Sequence, residues 1–249
     1  MTAVLYLRAI LLTLAGVLLT PPYSILAILT FPFDGFTRYR VISGWAWTML
    51  WVVKLVCRID YKVIGRENIP PRAAVVLSKH QSAWETMAFQ HILPPQVFVL
   101  KKELMRVPFF GWGLAQLPMI SIDRNAGMDA LQQVVEQGRE RLAEGFWVIV
   151  FPEGTRVAPG TTRRYKVGGA HLAAKTGAPV VPIAHNAGEF WRRRAFLKYP
   201  GTITVSIGPP IDTAGLAADE INVRAEAWIE AEMRRLFPHH YAAAVPEPG

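Results

Sequence analysis

Hydrophobic and polar positions follow three rhythms along this chain. From Ala9 to Phe33 no charged residue occurs, and the run is long enough to cross a bilayer as a helix. Pro21 and Pro22 interrupt it, so it predicts either one kinked helix or a helix that turns back. A second apolar stretch, Val41 to Val53, carries Trp45, Trp47 and Trp51 and is short for a hydrocarbon core of ~30 Å. Arg38 and Arg40 precede it, and Lys54, Arg58, Lys62 and Arg66 follow. Cations on both flanks oppose a two-span hairpin, which would carry the middle loop across the membrane. The reading is two helices that dip into the cytoplasmic leaflet without crossing it. Two spanning helices and two buried helices of a soluble protein are its alternatives.

Near residue 60 the rhythm changes. Short apolar, β-branched runs recur at Ala73–Ser78, Val97–Leu100, Met119–Ile122, Phe146–Phe151, Val180–Ala184 and Thr202–Ile207. Helical periodicity fills Met128–Glu144, with Leu131, Val134, Val135, Gly138 and Leu142 on one face and Gly145 as its stop. A second helix is predicted over Asp219–Phe237. Such alternation predicts an α/β fold: a mixed, largely parallel central sheet flanked by helices, preceded by the apolar helical segment. No internal repeat or low-complexity tract interrupts it. The expected division is 1–58 for membrane association, 59–240 for the catalytic domain and 241–249 for a loosely ordered tail.

Composition sharpens this picture. Of 249 residues 51% are hydrophobic and 18% charged, the net charge is +8, and there are eight tryptophans. A basic, greasy, Trp-rich surface suits an anionic membrane. Net charge alone would support a nucleic-acid partner and would leave the apolar segment unexplained, so none is expected. No Gly-rich nucleotide loop is present. The single cysteine, Cys57, excludes an intramolecular disulfide and a Cys-based metal cage, and reads as a buried thiol. His91, His171, His185, His239 and His240 lack ligand spacing, so metal binding at the last two would be adventitious. Glu189-Phe190-Trp191 followed by Arg192, Arg193 and Arg194 reads as a solvated loop or a lipid-headgroup contact.

Two segments carry candidate chemistry. KHQSAWE follows an apolar strand and holds His80 and Glu85. Strand ends of α/β sheets are where sites gather. Positions five apart on one ideal helix point about 140° apart, so the two side chains meet only if His80 lies in the turn before the helix. Ser82 as N-cap gives that geometry. It also makes Ser82-Ala83-Trp84-Glu85 a capping box, which would explain Glu85 without catalysis. The second segment is FPEGTR, Phe151–Arg156. Pro152 and Gly154 mark a turn, and Glu153 and Arg156 share it just past a buried strand. Arginine forms bidentate bonds with phosphate.

KHQSAWE resembles the His-x4-Asp motif of the lysophosphatidate acyltransferases, with Glu85 in place of the commoner Asp. FPEGTR resembles the family's phosphate-handling motif. Between them, Lys101-Lys102-Glu103-Leu104 through Ile120-Ser121-Ile122-Asp123-Arg124 resembles a further block, and Val180-Val181-Pro182-Ile183 a fourth. The blocks fall in the family's order. The resemblance implies His80 as general base and Glu85 as its orienting partner. It implies Lys101, Arg124, Glu153, Gly154, Thr155 and Arg156 as the substrate-binding set, with spacing undecided between Lys101 and Lys102. The implied donor is acyl-CoA or acyl-carrier protein, and the implied acceptor is a lysophospholipid, esterified at its sn-2 hydroxyl. No metal or cofactor is implied. The implied location is the cytoplasmic face of the inner membrane. Another acceptor (a lyso-aminolipid or glycerol 3-phosphate) and a non-catalytic membrane-binding module are the alternatives.

Overall fold

The structure, a computed structural model, describes residues 2–122 and 128–241. Helix α1, Thr2–Leu29, runs without a break through Pro21 and Pro22. It does not turn back there; the reversal comes at Thr30–Asp34. Hydroxyls brace it on either side of the proline pair, Thr20 Oγ1 on the Gly16 carbonyl at 2.6 Å and Ser24 Oγ on the Thr20 carbonyl at 2.9 Å. Helix α2, Gly35–Val52, starts at Asp34, whose carboxylate accepts from the amides of Phe36 and Thr37. By length and composition both helices could cross a membrane. They pack together, with Tyr23 bonded to Thr48 at 2.8 Å and Trp45 to Thr20 at 3.2 Å. Much of α1 nevertheless stays bare: Leu7, Leu14, Leu18 and Leu29 are exposed, as are Trp47 and Trp51 of α2. An uncovered apolar surface of this extent suits membrane association.

A π-helical turn, Val53–Cys57, leads into β1, Ile59–Ile64. Periodicity did not predict this strand, because Asp60 and Lys62 break its apolar run at the sheet edge. Then follow β2 (Val75–Ser78), α3 (Trp84–Ile92), β3 (Gln96–Lys101), α4 (Phe110–Ala115) and β4 (Ile120–Ile122). The chain continues as α5 (Met128–Ala143), β5 (Trp147–Val150), α6 (Gly168–Thr176) and β6 (Val180–His185). It ends with α7 (Ala187–Phe190), β7 (Gly201–Ile207) and α8 (Ala218–Leu236). The predicted helices 128–144 and 219–237 fall on α5 and α8, and Gly145 stops α5 with a left-handed φ of 92°.

The seven strands lie in the order β1-β7-β6-β2-β5-β3-β4. All neighbours are parallel except β6 and β7, so the sheet is mixed and largely parallel, as expected. Its centre, β2, β5 and β6, is buried on every residue, which fits near-continuous Val and Ile runs. Met49 and Leu50 of α2, and Val53 just after it, join the same core. This order sets the site. β2, β5 and β3 are adjacent and parallel, so the segments after their C-terminal ends gather at one edge. These are the turn holding His80, the turn 151–156 and Lys101.

Candidate active site

His80 sits in the turn between β2 and α3. Its Nδ1 lies 2.8 Å from Glu85 Oε1, and its ring stacks on Phe151 at 3.9 Å between centroids. The same Oε1 accepts from the amides of Gln81 and Ser82, each at 2.8 Å. Trp84 donates to Ser82 Oγ at 3.2 Å. The cap and the histidine–carboxylate pair are therefore one arrangement: Glu85 closes the start of α3 and orients the imidazole. An ionised carboxylate must accept the Nδ1 proton, so Nε2 is left to act as a base. Glu85 is fully buried, and burial alone would raise its affinity for a proton. The imidazoles of His185 and His80 and the Ser82 amide outweigh that, so its carboxyl is held below the usual range. His185, which sequence reasoning passed over, is buried beneath the pair. Its Nε2 donates to the Lys79 carbonyl at 2.8 Å, and Nδ1 accepts from the Ala187 amide at 3.2 Å. Burial lowers its affinity for a proton below the usual imidazole range, against the opposing pull of the Glu85 carboxylate.

The turn 151–156 divides its side chains between two sides. Glu153 points inward and is fully buried. Its Oε2 accepts from the His80 amide at 2.8 Å, and its Oε1 pairs with the Lys79 ammonium at 2.8 Å. Burial pushes its carboxyl up to about 7 despite Lys79. Gly154, Thr155 and Arg156 face the other way, into a large cavity, and Gly154 needs its left-handed φ of 70° to make the turn. The Val157 amide returns to the His80 carbonyl at 2.8 Å, stitching the two motifs together.

That cavity has a volume of about 1050 Å³. His80 lines it. Much of its lining is apolar, including Phe98, Leu100, Phe110, Leu114, Leu117 and Met119. Tyr23 and Ser24 of α1 and Trp45 and Met49 of α2 complete its wall. Lys101, Arg156, Lys166, Arg193 and Arg194 also line it, and no carboxylate does among the described residues. Such a chamber accepts a long apolar chain together with an anionic group.

Each expected site residue has a definite place. His80, Lys101, Gly154, Thr155 and Arg156 line the cavity, while Glu85 and Glu153 lie behind them. Lys102 is not in the lining. Arg124 lies outside the described residues. Sequence reasoning missed Lys166, and it read Arg193 and Arg194 as part of a solvated loop or a lipid-headgroup contact. No local pattern marks these three, which reach the cavity because the chain folds back onto the FPEGTR turn, where Arg193 donates to the Arg156 carbonyl at 3.2 Å. Three amides at the start of α3 are engaged within the protein: Gln81 and Ser82 donate to Glu85, and Trp84 to Ser82. Away from the cavity, Glu189, His239 and His240 bring ligand atoms within 4.8 Å of one another, the one such group among the described residues. The fold supplies Glu189 as a third ligand that histidine spacing did not reveal.

Comparisons with known proteins agree with this geometry. The acyltransferase family profile matches residues 60–186. The 1-acyl-sn-glycerol-3-phosphate acyltransferase of Pseudomonas aeruginosa is 46% identical over 215 residues, covering 85% of this chain and 84% of the relative. The human 1-acyl-sn-glycerol-3-phosphate acyltransferase alpha is 32% identical over 181 residues, covering 72% of this chain and 64% of the relative. The crystal structure of the 1-acyl-sn-glycerophosphate (LPA) acyltransferase from Thermotoga maritima shares the fold, with a TM-score of 0.78, 22% identity and coverage of 96% and 97% of the two chains. These likenesses, which fit a histidine–carboxylate pair beside a largely apolar, cation-bearing chamber, place the chain in the acyltransferase family, among the 1-acyl-sn-glycerol-3-phosphate acyltransferases.

Proposed function

We propose that this protein moves a fatty acyl group from a thioester, acyl-CoA or acyl-carrier protein, to the sn-2 hydroxyl of 1-acylglycerol 3-phosphate, giving phosphatidate. The observation that carries this reading is the His80–Glu85 pair beside a chamber whose largely apolar lining also holds Lys101, Arg156, Lys166, Arg193 and Arg194. His80 Nε2 takes the proton of the acceptor hydroxyl as its oxygen attacks the thioester carbonyl carbon. The Glu85 carboxylate stabilises the resulting imidazolium. Collapse of the tetrahedral adduct breaks the carbon–sulfur bond, and the departing thiolate takes the proton back from His80. No covalent enzyme intermediate is needed, because the acceptor hydroxyl attacks directly.

Arg156, Lys101 and Lys166 bind the phosphate of the acceptor, with Gly154 and Thr155 shaping the turn around it. Glu153 acts behind them, through the His80 backbone. Arg124 belongs to the phosphate-binding set on the family resemblance alone. The reaction takes place at the cytoplasmic face of the inner membrane. The exposed apolar face of α1 and the tryptophans of α2 enter the leaflet, and the basic surface attracts anionic lipid. The test is an assay of purified protein in detergent with labelled oleoyl-CoA and a panel of acceptors: lysophosphatidate, glycerol 3-phosphate and a lyso-aminolipid. Phosphatidate as the main product is expected. Turnover confined to another acceptor would overturn the acceptor assignment, and absence of turnover with both CoA and carrier-protein donors would overturn the activity.

A further inference from the structure

The lysine before His80 is bonded in a way the reaction does not use directly. Lys79 is wholly buried. Its ammonium meets Glu153 Oε1 at 2.8 Å, Glu230 Oε1 on α8 at 2.7 Å and the Thr161 carbonyl at 3.1 Å. Hydrogen bonds run to Glu230 and Thr161, while Glu153 Oε1 is held in ion-pair contact. Burial alone would lower its affinity for a proton, but the two carboxylates outweigh burial and raise it, so the lysine is charged. Glu230 also accepts from the buried Tyr165 hydroxyl at 3.2 Å. The other titratable groups coupled to this cluster include Glu226 of α8, Tyr241 and His185 of β6, with Arg164 acting on Glu226 and Arg234 on Tyr241.

Two carboxylates thus compete for one cation, and they differ in what else they hold. Glu230 belongs to the C-terminal helix. Glu153 holds the His80 amide, and through it the ring that must stay 2.8 Å from Glu85. An ionised carboxylate grips an amide roughly twice as strongly as a neutral acceptor does. Lys79 favours the ionised form of Glu153, whereas burial and Glu230 oppose it.

We propose that Lys79, anchored by Glu230, is a positioning residue for acyl transfer: it keeps Glu153 ionised and aimed at the His80 amide, and so makes α8 part of the catalytic apparatus. The proposal rests on His80 being the base. Neither Lys79 nor Glu230 lines the cavity, so substrate affinity is not their task.

The signature is in the pH dependence. Activity that requires ionised Glu153 rises with pH through that group's titration. Lys79→Met removes the cation that favours ionisation, so the acid limb of kcat moves to higher pH. Glu230→Gln removes the opposing carboxylate, so the limb moves to lower pH. The experiment measures kcat and KM across the acid limb for full-length wild type, Lys79→Met and Glu230→Gln in detergent, with folding checked by circular dichroism. Lys79→Met should lose about tenfold or more in kcat near neutral pH, as small misplacements of reacting groups do, and recover part of it at higher pH. KM for both substrates should stay within about threefold. Limbs that do not move, or that move in the same direction, would overturn the proposal. If Lys79→Met does not fold, Glu230→Gln decides alone, and an unmoved limb in that variant overturns the proposal. An active His80→Ala enzyme would instead overturn the base assignment, whatever the limbs do.

Discussion

Glu85→Gln separates the two tasks of one side chain. In the native protein Glu85 Oε1 accepts from His80 Nδ1 and from the amides of Gln81 and Ser82, each at 2.8 Å. A glutamine carbonyl can take the same place and keep all three bonds, so the start of α3 survives. The negative charge does not. When His80 accepts the hydroxyl proton, its ring becomes a cation in contact with that oxygen. At an effective dielectric of ~20, unit charges in contact attract by roughly 6 kcal/mol. Glu85 is fully buried and the His80 side chain is 15% exposed, so solvent screens only part of this. Half of it, about 3 kcal/mol, corresponds to a loss on the order of 100-fold in kcat. The cap loses charge assistance, about 1 kcal/mol, and the glutamine NH2 replaces the buried, unpartnered Oε2 at a further cost of about 1–3 kcal/mol, so Tm falls by several degrees. The assay follows thiol release from oleoyl-CoA with lysophosphatidate in detergent, with kcat and KM fitted separately and Tm read by circular dichroism. A kcat within about fivefold of wild type, alongside the drop in Tm, would refute the reasoning and leave Glu85 as a helix cap. Glu85→Asp keeps the charge but retracts it by about 1.5 Å, and should cost roughly tenfold in kcat.

His80→Ala should lower kcat by at least about 100-fold while circular dichroism shows an unchanged fold, the usual contribution of a general base. Arg156→Ala should raise KM for the phosphorylated acceptor more than for the acyl donor, and Arg156→Lys should restore it only in part because it lacks the planar fork; an unchanged acceptor KM would remove Arg156 from the phosphate site. Because the Glu85 carboxyl lies below its ordinary 4.5 in the folded state, the stability it contributes is complete above that value and is lost as pH falls through the folded one. The Tm gap between wild type and Glu85→Gln should therefore narrow as the solution is acidified. Deleting residues 1–58 should abolish activity on vesicles and, because Tyr23, Ser24, Trp45 and Met49 wall the cavity, on a short-chain soluble acceptor as well; normal turnover by the truncated protein would show that these helices do not shape the site.

The strands at the heart of the sheet were legible because a strand covered on both faces must be apolar at nearly every position, and short unbroken apolar runs such as Trp147–Val150 satisfy that. The helices of period 3.6 were legible for the same reason on one face. His80, Glu85 and Arg156 were legible because each motif is local and its turn chemistry is written within six or seven residues. The uncharged run of α1 declared its length, but not that the helix would continue through Pro21 and Pro22, which depends on hydroxyls and neighbours that brace it. Strand order was a tertiary decision. Only the adjacency of β2 and β5 brings Glu153 to the His80 amide, and only the packing of α8 brings Glu230 to Lys79 across 151 residues. Charge placement behaves the same way. Glu153 and Arg156 look alike as polar residues on one turn, yet one is buried at a carboxyl pushed up to about 7 and the other faces the cavity. Periodicity records which positions avoid water, because that is a property of each residue. It does not record which distant groups will share a buried cation, because that depends on the whole chain closing around them.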